Sequence, residues 1–131
     1  MELEARAAIV ELVGRYAHLA DYGAVADWVA LFTEEARVTR PGLELRGRLE
    51  LADYLTRRRA EITVRHQLFN VVVEGNADEA QAECYAQIIE VGTPPRVLLT
   101  ARYRHRVVRT QEGWQIANVR IEPDIPHTST Q

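Results

Sequence analysis

The fold is decided by residues 97–121, in which two long runs flank the short loop Gln111-Glu-Gly113: Val97-Leu-Leu-Thr-Ala-Arg-Tyr-Arg-His-Arg-Val-Val-Arg109 and Trp114-Gln-Ile-Ala-Asn-Val-Arg-Ile121. A glycine at the end of so short a loop predicts a β-hairpin. In the first run, the arginines at positions 102, 104 and 106 alternate with Ala101, Tyr103, His105 and Val107. Because side chains on a strand alternate between the two faces of a sheet, one face forms a core or pocket wall and the other meets water or charge.

The segments before this hairpin must extend the sheet and cover its apolar face, because two strands alone are only marginally stable. Apolar and β-branched residues predict a strand at positions 63–74, and alternation predicts another at positions 80–91. A smaller hairpin is expected at residues 36–46, where Pro41-Gly42 supplies the turn. The four later strands follow one another along the chain, so we expect them to form a meander.

Three helices are predicted before the meander, at residues 2–21, 24–32 and 49–62, from apolar side chains at helical spacing. The short second helix presents Trp28 to the core. The run Arg57-Arg-Arg59 on the third helix is expected to face solvent, as runs of like charge usually do. Helices gathered early and strands late predict an α+β fold, in which a curved sheet packs against the helices and leaves space between them for a small ligand.

The composition limits the class of protein. With 131 residues and 47% hydrophobic content, the chain is expected to form one domain at residues 1–126, followed by a flexible tail at residues 127–131. All sixteen basic residues are arginine and the formal net charge is −3, so a nucleic-acid partner is not expected. No leader and no apolar run of bilayer length is seen, so a membrane partner is not expected either. The lone Cys84 excludes an internal disulfide and fits a cytoplasmic location.

Several signatures of cofactor and metal chemistry are missing from the sequence. It has no phosphate-binding glycine loop, no dinucleotide fingerprint, no Gly-x-Ser-x-Gly elbow and no pair of histidines at metal-ligand spacing. We therefore expect no metal and no cofactor. Titratable side chains on the elements that would line the cavity are the remaining candidates for chemistry.

Asp21 and His66 are the first of these candidates. Asp21 ends the first helix, where a carboxylate meets the negative end of the helix dipole. His66 begins an apolar strand with the same parity as Leu68, where a histidine is costly unless its ring nitrogens find partners. If the two side chains meet, the carboxylate orients the imidazole as a general base. The alternative is a half-exposed histidine at a strand end and an unimportant helix terminus.

Tyr16 lies one turn after Leu12 on the apolar stripe of the first helix. A phenol held there could donate a hydrogen bond to a carbonyl or developing oxyanion, although a core tyrosine with a satisfied hydroxyl fits the same spacing. The other pocket residues are predicted from their positions on the inward faces of the helices and strands: Trp28, Leu68, Ile88, Glu90, Tyr103 and His105.

Several strings, taken in order along the chain, resemble the SnoaL-like branch of the nuclear transport factor 2-like superfamily: Arg15-Tyr16-x4-Asp21, Asp27-Trp28-x3-Phe32, Arg65-His66-x3-Asn70, Gly75-Asn76-x3-Ala80-x4-Tyr85 and Arg102-Tyr103-x5-Arg109-x3-Gly113-Trp114-x-Ile116. The resemblance covers nearly the whole chain. It implies a cone-shaped, cystatin-like α+β fold with a curved mixed sheet and three N-terminal helices. The fold serves dehydratases, isomerases, polyketide cyclases, epoxide hydrolases and non-catalytic subunits, so function must come from the site.

Within this superfamily the pattern is most similar to scytalone dehydratase and the bile-acid dehydratases. That resemblance implies Asp21 and His66 as an acid–base pair and Tyr16 as the group that polarises a substrate oxygen. Two positions depart from the family patterns. Arg40 stands where steroid isomerases carry a catalytic aspartate, and the second histidine of scytalone dehydratase is missing near Glu90, which could take its role.

The sequence therefore predicts a cofactor-independent acid–base enzyme, a dehydratase or an isomerase or cyclase. Its substrate would be a small hydrophobic carbonyl compound of polyketide, terpenoid or steroid type. The alternative is a non-catalytic module of the same fold that binds a small ligand or resembles the small subunit of an oxygenase. In either case we expect a homodimer formed through the outer face of the sheet.

Overall fold

The computed structural model describes residues 1–125. Its elements, in chain order, are α1 (Leu3–Asp21), α2 (Val25–Val29), β1 (Phe32–Arg40), β2 (Leu43–Arg46), α3 (Gly47–Glu61), β3 (Val64–Gly75), β4 (Glu79–Glu90), β5 (Arg96–Thr110) and β6 (Gly113–Pro123). The predicted α+β architecture is confirmed. The last residue assigned to the domain, 126, and the predicted tail at 127–131 lie outside the described residues.

All six strands form one curved sheet in the order β2-β1-β6-β5-β4-β3. Strands β3 to β6 form the predicted antiparallel meander. Its final hairpin closes where Thr110 pairs with Gly113. Strand β1 runs parallel to β6 and antiparallel to β2, which makes the sheet mixed. The hairpin at residues 97–121 is therefore the centre from which the sheet extends on both sides.

The alternation along β5 separates a core face from a charged face as predicted. Ala101, Tyr103, His105 and Val107 are buried. On the outer face, the Nε atom of Arg104 lies 3.0 Å from a carboxylate oxygen of Glu83 on β4 and 2.9 Å from one of Glu122 on β6. Arg106 forms an ion pair with Glu79. These cross-strand pairs neutralise the two arginines on the outer face.

Helix α1 closes the inner face of the sheet. Its apolar stripe, including Ile9, Val13 and Tyr16, is buried against the strands. Complete burial of a side chain such as Ile9 contributes about 1.5–3 kcal/mol to folding. Among the described helices, none has the length and apolar character needed to cross a bilayer.

The second helix is shorter than predicted, because it ends at Val29 and Phe32 already belongs to β1. Phe32 pairs with Ile116 of β6 in parallel register, and its carbonyl oxygen accepts two hydrogen bonds from Arg48, at 2.6 and 3.1 Å. An apolar residue here satisfies helical and strand spacing equally. Phe32 belongs to a strand because it pairs with β6, which lies far along the chain.

The prediction that residues 57–59 all face solvent is wrong for two of the three arginines. Arg59 donates to the carbonyl oxygens at the end of α1 and in the following turn, those of Leu19 (2.6 Å), Ala20 (3.2 Å), Tyr22 (3.1 Å) and Gly23 (2.6 Å). Arg58 is half-buried and lines the interior cavity. Carbonyl groups at a helix C-terminus lack intrahelical donors, which is why a guanidinium docks there.

Candidate active site

A cavity of about 310 Å³ lies between the sheet and the helices. Its volume falls at the lower end of the range typical of small-molecule sites. Most of its wall is apolar, with side chains such as Val38, Leu55 and Ile88. The polar side chains that reach it are Tyr16, Arg40, Tyr54, Arg58, His66 and Tyr103.

Asp21 and His66 meet beside this cavity. Oδ1 of Asp21 lies 2.6 Å from Nδ1 of the His66 ring, and Oδ2 accepts a hydrogen bond of 2.8 Å from the His66 backbone N–H. The Asp21 side chain is 5% exposed and that of His66 is 15% exposed. Because a carboxylate only accepts hydrogen bonds, Nδ1 carries a proton, and in the neutral form of the ring Nε2 keeps a free lone pair.

Two packing relationships bring this pair together. Asp21 is the last residue of α1, and His66 lies near the start of β3, opposite Ile88 of β4. The packing of α1 on β3 brings Asp21 and His66 into contact, although 45 residues separate them in sequence. Arg59 binds the turn that carries Asp21 and places positive charge at the negative end of the α1 dipole.

Tyr16 is the centre of an aromatic cluster next to the pair. Its ring centroid lies 6.5 Å from that of His66 and 5.8 Å from that of Trp28. Burial raises the pKa of Tyr16 well above its ordinary value, and the neighbouring Tyr103 adds to the effect. The hydroxyl stays protonated near neutral pH, so it can donate a hydrogen bond to a substrate oxygen in the cavity.

Three of the polar lining residues, Arg40, Tyr54 and Arg58, were not among the site residues predicted from the sequence. Arg40 has the parity of Val38 in β1, and Arg58 follows Leu55 by three residues on the buried stripe of α3. Both spacings were visible in the sequence. Considering the three consecutive arginines as one charged block hid the position of Arg58.

Asp21 lies beside the cavity rather than in its lining, and three of the six other predicted pocket residues also lie outside it. Leu68 packs against the edge of the core. Glu90 is half-buried and pairs with Arg96, whose Nη2 lies 2.7 Å from Oε1. His105 is fully buried behind Tyr16, with ring centroids 5.1 Å apart. Strand parity carries no information about where along a face the cavity lies. Trp28, Ile88 and Tyr103 do line it.

His105 is an uncharged core residue. Burial lowers the pKa of its imidazole from 6.5 to about 4, and the backbone of Ala82 beside the ring opposes part of this effect. Neither ring nitrogen makes a well-aligned hydrogen bond within the described part of the chain. Residues 1–125 contain no group of three or more histidine, cysteine or acidic side chains placed to hold a metal ion.

Comparisons with known proteins place this site in a family context. The sequence profile of the SnoaL-like domain matches residues 1–120. A nuclear transport factor 2-like protein with a cystatin-like fold from Novosphingobium aromaticivorans superposes with a TM-score of 0.88 at 25% identity, over 97% of this chain and 86% of that chain. A comparison with curated proteins gave no match.

Two further structures from the same organism are similar. One, proposed to be an aromatic ring hydroxylase, has a TM-score of 0.84 at 28% identity and covers 96% of this chain and 93% of that chain. The other, proposed to be a scytalone dehydratase, has a TM-score of 0.83 at 19% identity over 96% and 90% of the two chains. At 19% identity the second likeness supports the fold alone.

Proposed function

Because the chain belongs to the SnoaL-like domain family, we propose that it is a cofactor-independent acid–base enzyme, a dehydratase or an isomerase or cyclase. Its substrate is a small hydrophobic carbonyl compound of polyketide, terpenoid or steroid type. The contact of Asp21 with His66 at the wall of an apolar cavity carries this proposal. The Asp21 carboxylate accepts one hydrogen bond from the His66 ring and one from the His66 backbone N–H, and together they orient the imidazole, as a general base requires.

In the proposed reaction, Nε2 of His66 removes a proton from the carbon next to the substrate carbonyl. Asp21 keeps the proton on Nδ1 and stabilises the imidazolium that forms. The Tyr16 hydroxyl donates to the enolate oxygen. Expulsion of a β-hydroxyl then forms the carbon–carbon double bond, and the departing oxygen takes the proton from Nε2 and leaves as water. Return of that proton to another carbon would instead move a double bond.

A single histidine must serve as both base and acid in this scheme. Glu90, which the family pattern offered as a second group, is paired with Arg96 and does not line the cavity. His66 regains its neutral state in the elimination, so one imidazole balances the protons. Each positioned proton transfer is worth about 10²–10⁴-fold in rate.

Deuterium exchange in D2O tests the first step without requiring the natural substrate. Wild-type protein should exchange the α-protons of apolar bicyclic ketones such as tetralones, and His66→Gln or Asp21→Asn should lower the rate by at least about 10²-fold. Exposed His18→Gln is the matched control and should exchange at the wild-type rate. Exchange that survives His66→Gln would exclude His66 as the base.

Ring ¹⁵N shifts of His66 test the role of Asp21 directly. The wild-type ring should carry its proton on Nδ1, whereas Asp21→Asn, which removes one acceptor oxygen, should give a mixture of the two tautomers. A ring whose tautomer does not respond to Asp21→Asn would contradict the proposed positioning.

A second candidate is a ligand-binding or oxygenase small-subunit-like module with the same fold. The engagement of Glu90 by Arg96 favours it, since no second proton-transfer group is left at that position. Binding of a bicyclic ketone by wild-type protein with no deuterium exchange would support the module over the enzyme.

We also propose that the protein forms a homodimer through the outer face of the sheet and that it is located in the cytoplasm. Three large apolar side chains on this face are exposed: Phe69 (44%), Val72 (59%) and Tyr85 (53%). Sedimentation should show a dimer that Val72→Asp dissociates, because a buried unpaired carboxylate is costly at an interface. Leu49→Asp, at an exposed position on α3, is the control and should leave the dimer intact.

A further inference from the structure

Two guanidinium groups and no carboxylate line the interior cavity; Arg58 is half-buried and Arg40 is exposed. Neither guanidinium forms an ion pair with an acid within residues 1–125. On the outer sheet face, by contrast, Arg104 and Arg106 are paired with carboxylates. The cavity therefore carries uncompensated positive charge in a protein whose net charge is negative.

The two positive charges come from different elements but line the same cavity. Arg40 ends β1 and also lines the outer groove beyond the cavity, together with Leu98 and Pro123. Arg58 projects from α3. Burial raises the pKa of Tyr103, and both guanidinium groups are near enough to its hydroxyl to oppose that effect. Tyr103, Arg40 and Arg58 line the same cavity, so a ligand there can meet all three side chains.

An uncharged ligand would be poorly matched to this wall. Filling the cavity removes water from the half-buried guanidinium of Arg58, and an apolar ligand offers it nothing in return. An anionic oxygen group would replace that water with charge-assisted hydrogen bonds, for which the planar guanidinium is well suited. The protonated hydroxyl of Tyr103 adds a third donor at the same place.

We propose that the ligand of this cavity has an apolar body and one anionic oxygen group, such as a carboxylate, bound between Arg40, Arg58 and the Tyr103 hydroxyl. The proposal rests on the proposed function for the other end of the molecule, where the reacting carbonyl lies beside Tyr16 and His66. It names the substrate class more closely: an acidic carbonyl compound rather than a neutral one.

Two fluorescent probes with the same ring system test this charge preference. 8-Anilinonaphthalene-1-sulfonate carries an anionic group, and N-phenyl-1-naphthylamine lacks it. Wild-type protein should bind the sulfonate more tightly. Arg40→Gln and Arg58→Gln should each weaken sulfonate binding at least about tenfold and change binding of the neutral probe by less than about twofold. Arg57→Gln, at an exposed position on the same helix as Arg58, should change neither.

Equal affinity of wild-type protein for the two probes would overturn the proposal, as would equal losses for both probes in the arginine variants. Thermal unfolding of each variant identifies one that fails to fold, and the two arginines lie on separate elements, so either variant alone suffices. Asp21→Asn separates this proposal from the catalytic one. It should stop deuterium exchange but keep the preference for the sulfonate, whereas failure of the arginine proposal would leave exchange dependent on Asp21.

Discussion

The ring of His105 stands edge-on against the ring of Tyr16, with centroids 5.1 Å apart and an angle of 84° between the planes. His105 does not line the cavity, but it packs against the ring of Tyr16, the proposed oxyanion donor, and so supports its position. Its imidazole is completely buried. A positive charge at this position would have no solvent and no acidic partner among the described residues, so the fold holds His105 neutral.

The burial of His105 should make the fold sensitive to acid. Its pKa is about 4 in the folded protein and 6.5 when unperturbed, so unfolding takes up a proton between these pH values. Its contribution to stability is complete above pH 6.5 and is lost as the pH falls from 6.5 towards 4. At ~1.4 kcal/mol per pH unit the loss amounts to about 3 kcal/mol.

Urea unfolding of wild-type protein and His105→Leu between about pH 4.5 and 7.5 measures this loss. The free energy of unfolding of His105→Leu should fall less steeply than that of wild type as the pH is lowered. The exposed His18→Gln should decline as wild type does. Parallel curves for wild type and His105→Leu would mean that His105 does not remain neutral in the folded state.

Tyr16→Phe should lower the rate of deuterium exchange by about 10²–10³-fold, the usual cost of losing one oxyanion donor. Stability should change by less than about 1 kcal/mol, because the phenyl ring keeps the aromatic contacts and the hydroxyl makes no hydrogen bond within residues 1–125. Exchange kinetics and thermal unfolding give the two readings. A variant with wild-type exchange would assign Tyr16 to the core alone.

Arg59→Gln should destabilise the protein by about 2–4 kcal/mol, because one guanidinium satisfies four carbonyl oxygens at the end of α1. Arg59 is a positioning residue for Asp21, so the variant should also mix the tautomers of His66 at temperatures where it is fully folded. Thermal unfolding and ring ¹⁵N shifts measure the two effects. Arg57→Gln should stay within about 0.5 kcal/mol of wild type; an unchanged tautomer in Arg59→Gln would reduce Arg59 to a purely structural role.

Gly75→Ala should destabilise the β3–β4 connection by at least about 2 kcal/mol. Gly75 has a φ of +152°, and a Cβ atom there would collide with the carbonyl oxygen of Glu79. Gly14→Ala is the opposite case. Gly14 lies inside α1 with no atom within 4 Å of its would-be Cβ, so alanine should stabilise by about 0.5–1 kcal/mol. Urea midpoints for both variants would show the contrast, and equal shifts in the same direction would contradict it.

The sequence by itself determined those elements in which the spacing of apolar residues fits only one kind of secondary structure. The alternation of arginine with Tyr103 and His105 defined both faces of β5, because period-2 patterning is a property of the strand alone. The stripe containing Tyr16 defined α1 in the same way. Asp21 and His66 could be proposed as partners because each broke a local rule, one at a helix terminus and the other in an apolar strand.

Only the tertiary structure decided which inward-facing groups reach the cavity and which are buried or paired elsewhere. The pairing of β1 with β6 made Phe32 a strand residue. The packing of α3 on β1 and α2 brought Arg59 to the end of α1 and Arg58 to the cavity. Glu90 and His105 had the same inward parity as Tyr103, yet one pairs with Arg96 and the other is sealed in the core. Periodicity depends on the geometry of one element, whereas a cavity depends on the distances between several elements, and these are set by long-range packing.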